Sequence, residues 1–117
     1  MHAGVEYLDF QNGAGIRYLT QYAQALSVVN NEEICYTFQG LTQDGEYYIA
    51  ARLPVYHPDL VAGANDAPDG DTSVWEDVDK NVQYMQKMAP MLDTAAPSSF
   101  TPDLTTLDAM MRSISIQ

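Results

Sequence analysis

The densest run of oxygen donors in the sequence lies between Asn65 and Glu76, Asn-Asp-Ala-Pro-Asp-Gly-Asp-Thr-Ser-Val-Trp-Glu. Laid on the calcium-loop pattern, Asn65, Asp69, Gly70 and Glu76 occupy the first, fifth, sixth and twelfth positions, where oxygen ligands and a sharp turn are required, and Asp71 adds a carboxylate beside them. Ala67 stands where a third side-chain oxygen is needed, Pro68 is foreign to the pattern, and no helical pattern precedes the loop. Glu76 also has a second explanation, a capping box with Ser73. Calcium is thus one reading, and a solvated acidic loop running into a helix start is the plainer one.

Other reactive groups are sparse. His57 and Asp59 in Tyr-His-Pro-Asp have the types for acid-base or metal chemistry, but one imidazole and one carboxylate are too few ligands, and His2 falls in the N-terminal tail. Cys35 lies mid-strand rather than at an exposed helix start, and no Gly-x-Ser-x-Gly elbow occurs. With 16 acidic residues, carboxylate pairs at glycosidase-like separations arise in almost any fold, so Glu6 and Glu46 gain no standing from them. Gly13 and Gly15 belong to a hairpin with no helix behind it, which is no phosphate loop.

Binding chemistry is better represented. The chain has 8 tyrosines, of which Tyr18, Tyr22, Tyr36, Tyr47 and Tyr48 fall in strand patterns and could present a broad amphipathic surface to a protein or a cell-envelope component. Strand preference alone would also place tyrosines there.

Charge narrows the partners. Sixteen Asp and Glu against 5 Lys and Arg give a formal net charge of −11 and a pI near 4.1. Arg17, Arg52, Lys80, Lys87 and Arg112 are scattered singly, so the basic stripe that nucleic acid or an anionic membrane requires is missing, while cationic ligands stay open. One cysteine forms no intrachain disulfide. No apolar run approaches the roughly 20 residues of a membrane span, so no transmembrane segment is expected. The abrupt start of strand pattern after Met1 reads as a domain excised from a longer protein.

The elements that must position these groups form one α+β domain over 1–117: a four-stranded antiparallel meander followed by two helices packed on one face. Strands are expected at about 5–10, 16–23, 34–41 and 46–55, with Gln11 to Gly15 and the Asp44-Gly45 turn as hairpin connections. Short connections favour the meander over a crossover. In the fourth strand Tyr47, Ile49, Ala51 and Leu53 share one face and Tyr48, Ala50 and Arg52 the other; in the second, Ile16 and Tyr18 oppose Arg17 and Leu19. One helical layer covers one face, so the other stays wet behind its tyrosines or meets a partner, a second copy included.

An acidic loop follows at 56–72. The first helix is expected over 74–93, capped by Ser73, with Val74, Val78, Val82, Met85, Met88 and Leu92 as its apolar stripe and Pro90 kinking or ending it. The second spans 102–115, with Thr101 as N-cap, Pro102 in the first position, and Leu104, Leu107, Met110 or Met111, and Ile114 inward.

Four segments carry a family resemblance: Tyr7 to Gln24, the distinctive Tyr36-Thr37-Phe38-Gln39-Gly40-Leu41-Thr42 with its continuation to Ile49, Leu53-Pro54-Val55, and Ser98 to Leu104. Together they resemble a domain of uncharacterised bacterial secreted lipoproteins, in which it forms the C-terminal part of a longer chain. The resemblance implies a location outside the cytoplasm, tethered to the membrane through another part of the chain, and brings no catalytic residues. The resulting expectation is a non-enzymatic extracytoplasmic binding module; the alternatives are a hydrolase using carboxylates or a metal near His57, and a calcium-stabilised structural domain.

Overall fold

Period-two alternation broken by Asn12-Gly13 and Asp44-Gly45 dictates two hairpins, and the computed structural model contains them. It describes residues 2–21, 27–63 and 65–116, without the side chain of Asp69. The strands are β1 (His2–Phe10), β2 (Gly13–Thr20), β3 (Cys35–Thr42) and β4 (Tyr48–Pro54), hydrogen-bonded in the order β1-β2-β3-β4 and all antiparallel. The first turn is tighter than the composition suggests. Only Gln11 and Asn12 connect β1 to β2, so Gly13 and Gly15 are strand residues rather than loop residues.

The reason lies on the core face. The Phe10 and Phe38 rings meet edge to face at 6.1 Å and lie over Gly13, Gly15 and Gly40. A Cβ on Gly13 would come within 2.2 Å of the Phe10 ring, and one on Gly15 within 2.3 Å of the Gln39 carbonyl oxygen. These glycines are where close approach demands the absence of a side chain.

In the second connection Gly45 has φ of 76°, a left-handed conformation that glycine adopts freely. Asp44 Oδ1 accepts from Thr42 Oγ1 at 2.6 Å and from the Glu46 N–H at 2.9 Å. These two bonds, the Thr42 hydroxyl first, hold the exposed Asp44 carboxyl below its ordinary range.

The helical region has three α-helices: α1 (Ser73–Glu76), α2 (Val78–Thr94) and α3 (Leu104–Arg112). The expected single helix from 74 to 93 is broken because Asp77 is extended, and its carboxylate caps α2 by accepting from the Asp79 N–H at 2.9 Å. Ser73 does not cap; its hydroxyl donates to Asp71 Oδ1 at 2.6 Å. Buried Asn81 then stitches the break, donating to the carbonyls of Val74 at 3.1 Å and Ser27 at 2.9 Å.

The break rotates the stripe. Val78 is 62% exposed and Val82 46%, whereas Val74, Met88 and Leu92 are buried, so the outer half of the expected apolar line faces away from the sheet. Pro90 does not end α2, which continues to Thr94. In α3 the cap is Asp103 rather than Thr101, because both backbone polar groups of Thr101 are bonded to Tyr56 at 2.9 Å.

The core lies between one sheet face and the helices: Leu8, Leu19, Tyr36 and Phe38 from the strands pack with Met88, Leu92, Leu104, Leu107 and Met111. Both long helices lie along β1, and β4 is the opposite edge of the sheet, in a molecule 50 × 26 × 20 Å.

Candidate binding face

The strand register sorts every side chain to a face. The face turned from the helices carries four rows running β1 to β4: Asp9, Ala14, Leu41, Tyr48; then Tyr7, Ile16, Gln39, Ala50; then the β1 bulge, Tyr18, Thr37, Arg52; then His2, Thr20, Cys35, Pro54. Tyr7 is 83% exposed, Tyr48 64%, and Leu41 about half, with Ile16 and Tyr18 half-buried between them. Tyr7 and Tyr48 are the two most exposed tyrosines among the described residues. Toward Thr20 the face closes, with Thr20 and Thr37 buried. Thr37 Oγ1 has no hydrogen-bond partner among the described residues.

His2 is a strand residue rather than a tail, and its ring stacks edge-on against Tyr18 at 5.0 Å. Cys35 is half-buried beside Arg52, whose Nη2 donates to Sγ at 3.5 Å.

The tyrosine candidates separate. Tyr18 and Tyr48 lie on the open face, joined by Tyr7, which sequence reasoning did not single out although its alternation with Leu8 could have done so. Tyr47 is exposed but precedes β4 on the opposite side, and Tyr22 lies outside the described residues. Tyr36 is a correction: it is fully buried in the core, so it lines no surface.

Tyr36 belongs to a buried polar cluster that no motif announced. Arg17 Nε and Nη2 donate to the two carboxylate oxygens of Asp108 at 3.1 and 3.3 Å, and the Tyr36 hydroxyl donates to Asp108 Oδ1 at 2.7 Å. Arg17 Nη1 also donates to the Gly4 carbonyl, exposed by the bulge between Ala3 and Glu6. The signals were there: Arg17 is in phase with Leu19, and Asp108 sits on the Leu104, Leu107, Met111 stripe. This cluster pins α3 beneath β1, β2 and β3.

Burial, then the hydrogen bond to Asp108 and its negative charge, push the Tyr36 phenol well above its ordinary value near 10, and burial raises that of Tyr84. Both groups stay protonated in the folded chain while the unfolded chain ionises, so their stability contribution is intact below pH about 10 and is lost as pH rises beyond it. Denaturation midpoints are therefore expected to fall above pH 10. Tyr36→Phe should flatten that fall by up to about 1.4 kcal/mol per pH unit; an unchanged slope rejects the buried phenol as its source.

The rival sites take different forms. His57 is 3% exposed; Nε2 lies 3.0 Å from Ser99 Oγ, Nδ1 accepts from the Asp59 N–H at 3.1 Å, and the ring packs on Phe100 at 4.7 Å. Nδ1 thus holds the turn that follows His57, and Nε2 ties that turn to Ser99. In the acidic loop, Asn65 and Glu76 are exposed and Asp71 Oδ1 is already engaged by the Ser73 N–H and hydroxyl. Among the described residues no three His, Cys, Asp or Glu side chains converge as metal ligands. A groove of about 500 Å³ between this loop and α2 is lined by Asp59, Asp71, Lys80, Tyr84, Lys87 and Met88 among others. No described helix is long and apolar enough to cross a membrane.

Compared with family models, curated proteins and solved structures, the chain has no match.

Proposed function

We propose that this chain is a non-enzymatic binding module of an extracytoplasmic, membrane-tethered lipoprotein, and that its open sheet face receives a protein partner. The observation that carries the reading is the exposure of Tyr7, Tyr48 and Leu41 on one face of a four-stranded sheet with Ile16 and Tyr18 between them. Tyrosines supply large contact area at little conformational cost, the composition favoured at protein interfaces. Exposed Asp9, Asp44 and Glu46 stand around the hairpin end of this face, on a chain of net charge −11. A basic or neutral partner surface complements that rim, and opposite charge accelerates encounter. The engaged ring nitrogens of His57 favour binding over the hydrolase reading.

The test is site-specific photo-crosslinking in intact bacterial cells, with a benzophenone side chain replacing Tyr7 or Tyr48, and Gln83 on α2 as control. Discrete protein adducts from the first two positions and none from the third are expected. Adducts to lipid, identical patterns at all three positions, or none at all would reject the reading. Protease added outside cells whose inner membrane is intact should degrade the chain; full protection rejects the extracytoplasmic location.

A further inference from the structure

Both lysines of the chain, Lys80 and Lys87, line the groove of about 500 Å³ between α2 and the acidic loop. With Tyr84 and Met91 they stand at i, i+4, i+7 and i+11, one face of the helix, and this face forms one wall. The loop, with Asp59 and Asp71, forms the other, and Val61, Val74 and Met88 add apolar lining. The Tyr84 hydroxyl is engaged by the Val29 backbone, accepting from its N–H at 3.2 Å, so this residue offers the groove its ring. The volume falls within the roughly 300–1,000 Å³ of small-ligand sites.

The four charges are not equivalent. The Ser73 hydroxyl first, then the Ser73 N–H and the charge of Lys80, hold the Asp71 carboxyl below its ordinary range, so Asp71 and Lys80 offset each other. Lys87 pairs with no carboxylate among the described residues. The Asp59 side chain is 72% exposed, and its Oδ2 lies 3.9 Å from His57 Nδ1, a nitrogen that accepts the Asp59 N–H and therefore has no proton to give. One ammonium and one carboxylate are left over, on opposite walls.

We propose that this groove binds a short zwitterionic peptide with apolar side chains, its terminal amine at Asp59 and its terminal carboxylate at Lys87. An anion alone meets Asp59 and the field of a chain of net charge −11, and a cation alone meets Lys87. A ligand with one charge of each sign complements both walls. Apolar side chains match Val61, Val74 and Met88, and flexible thioethers adapt to irregular shapes. Length follows from the helix: from Lys80 to Lys87 the groove runs about 10 Å along α2, the reach of about three extended residues. The site is separate from the tyrosine face, which lies on the other side of the sheet from α2.

Titration of the isotopically labelled whole chain with the tripeptide Leu-Ala-Leu, followed by amide chemical shifts, tests the assignment. Saturable shifts at Val61, Tyr84 and Met88 are expected at millimolar peptide. Acetylating the peptide amine and amidating its carboxylate should each weaken binding about two- to fivefold, the worth of a partly exposed ion pair. Asp59→Asn should abolish the acetylation penalty and keep the amidation penalty, and Lys87→Gln should do the reverse. Both side chains are exposed, and the peptide-free spectrum of each variant verifies its fold. Blocked peptides that bind as tightly as the free one, a penalty that its matching variant leaves in place, shifts confined to the tyrosine face, or no saturable shift at all would each overturn the proposal. A tripeptide held beside Gln83 yields no protein adduct, so the photo-crosslinking test of the sheet face stays independent of this one.

Discussion

Asp108→Ala is expected to cost about 3–5 kcal/mol of unfolding free energy. The side chains of Arg17 and Asp108 are 6% and 11% exposed. Removing the carboxylate leaves a guanidinium in the core with only the Gly4 carbonyl, and leaves the Tyr36 hydroxyl without its acceptor. The cost comes from the orphaned charge rather than from the net strength of the pair. Hence the double variant Arg17→Met with Asp108→Leu, which removes both charges and keeps apolar volume, should recover most of the loss. Urea unfolding of the four members of the cycle measures it. A loss below about 1 kcal/mol for Asp108→Ala is the behaviour of a solvated surface pair and contradicts the geometry.

Phe38→Ala is expected to cost a comparable 3–5 kcal/mol. Phe38 is fully buried, and its ring rests on Gly15 and Gly40 with Phe10 edge-on to it. Neighbouring side chains normally relax into part of the space a deletion opens; here the floor is glycine backbone fixed in the ladder, so little can move in. Phe38→Leu, which keeps most of the volume, should lose less than half as much. Thermal and urea midpoints of the two variants make the comparison, and equal losses would point to loss of the aromatic edge contact rather than to the cavity.

What sequence reasoning recovers here is what local chemistry controls. The Asp44-Gly45 turn, the four alternating strands, their meander order and the α3 stripe of Leu104 and Leu107 follow from turn residues and periodicity, and all are present, while the choice between Met110 and Met111 for that stripe falls to the structure, which buries Met111. The opposition of Tyr48, Ala50 and Arg52 to Ile49, Ala51 and Leu53 follows from a repeat of two. The open face was legible to the same degree, since a single helical layer has only one side of a sheet to cover.

Three features escaped that reasoning, the first because one local bond outcompetes another and the other two because a contact more distant in sequence outweighs a local preference. Ser73 and Glu76 have capping-box spacing, yet Asp71 takes the Ser73 hydroxyl and Asp77 interrupts the helix, so Val78 and Val82 turn outward. Thr101 and Pro102 have the form of a helix start, yet the pairing of Thr101 with Tyr56 delays it to Asp103. Gly13 and Gly15 look like turn residues, yet the Phe10 and Phe38 rings need them in the strand.

Sequence alone determined the order and type of the elements, the acidity, and the tyrosine-rich strands, because these depend on residues a few positions apart. The tertiary structure alone decided which sheet face is covered, that Tyr36 is core while Tyr7 is surface, and that Arg17 meets Asp108 across 91 positions of chain. A strand's two faces are equivalent until something packs on one of them, and what packs is fixed by closure of the chain in space, which no window of neighbouring residues contains.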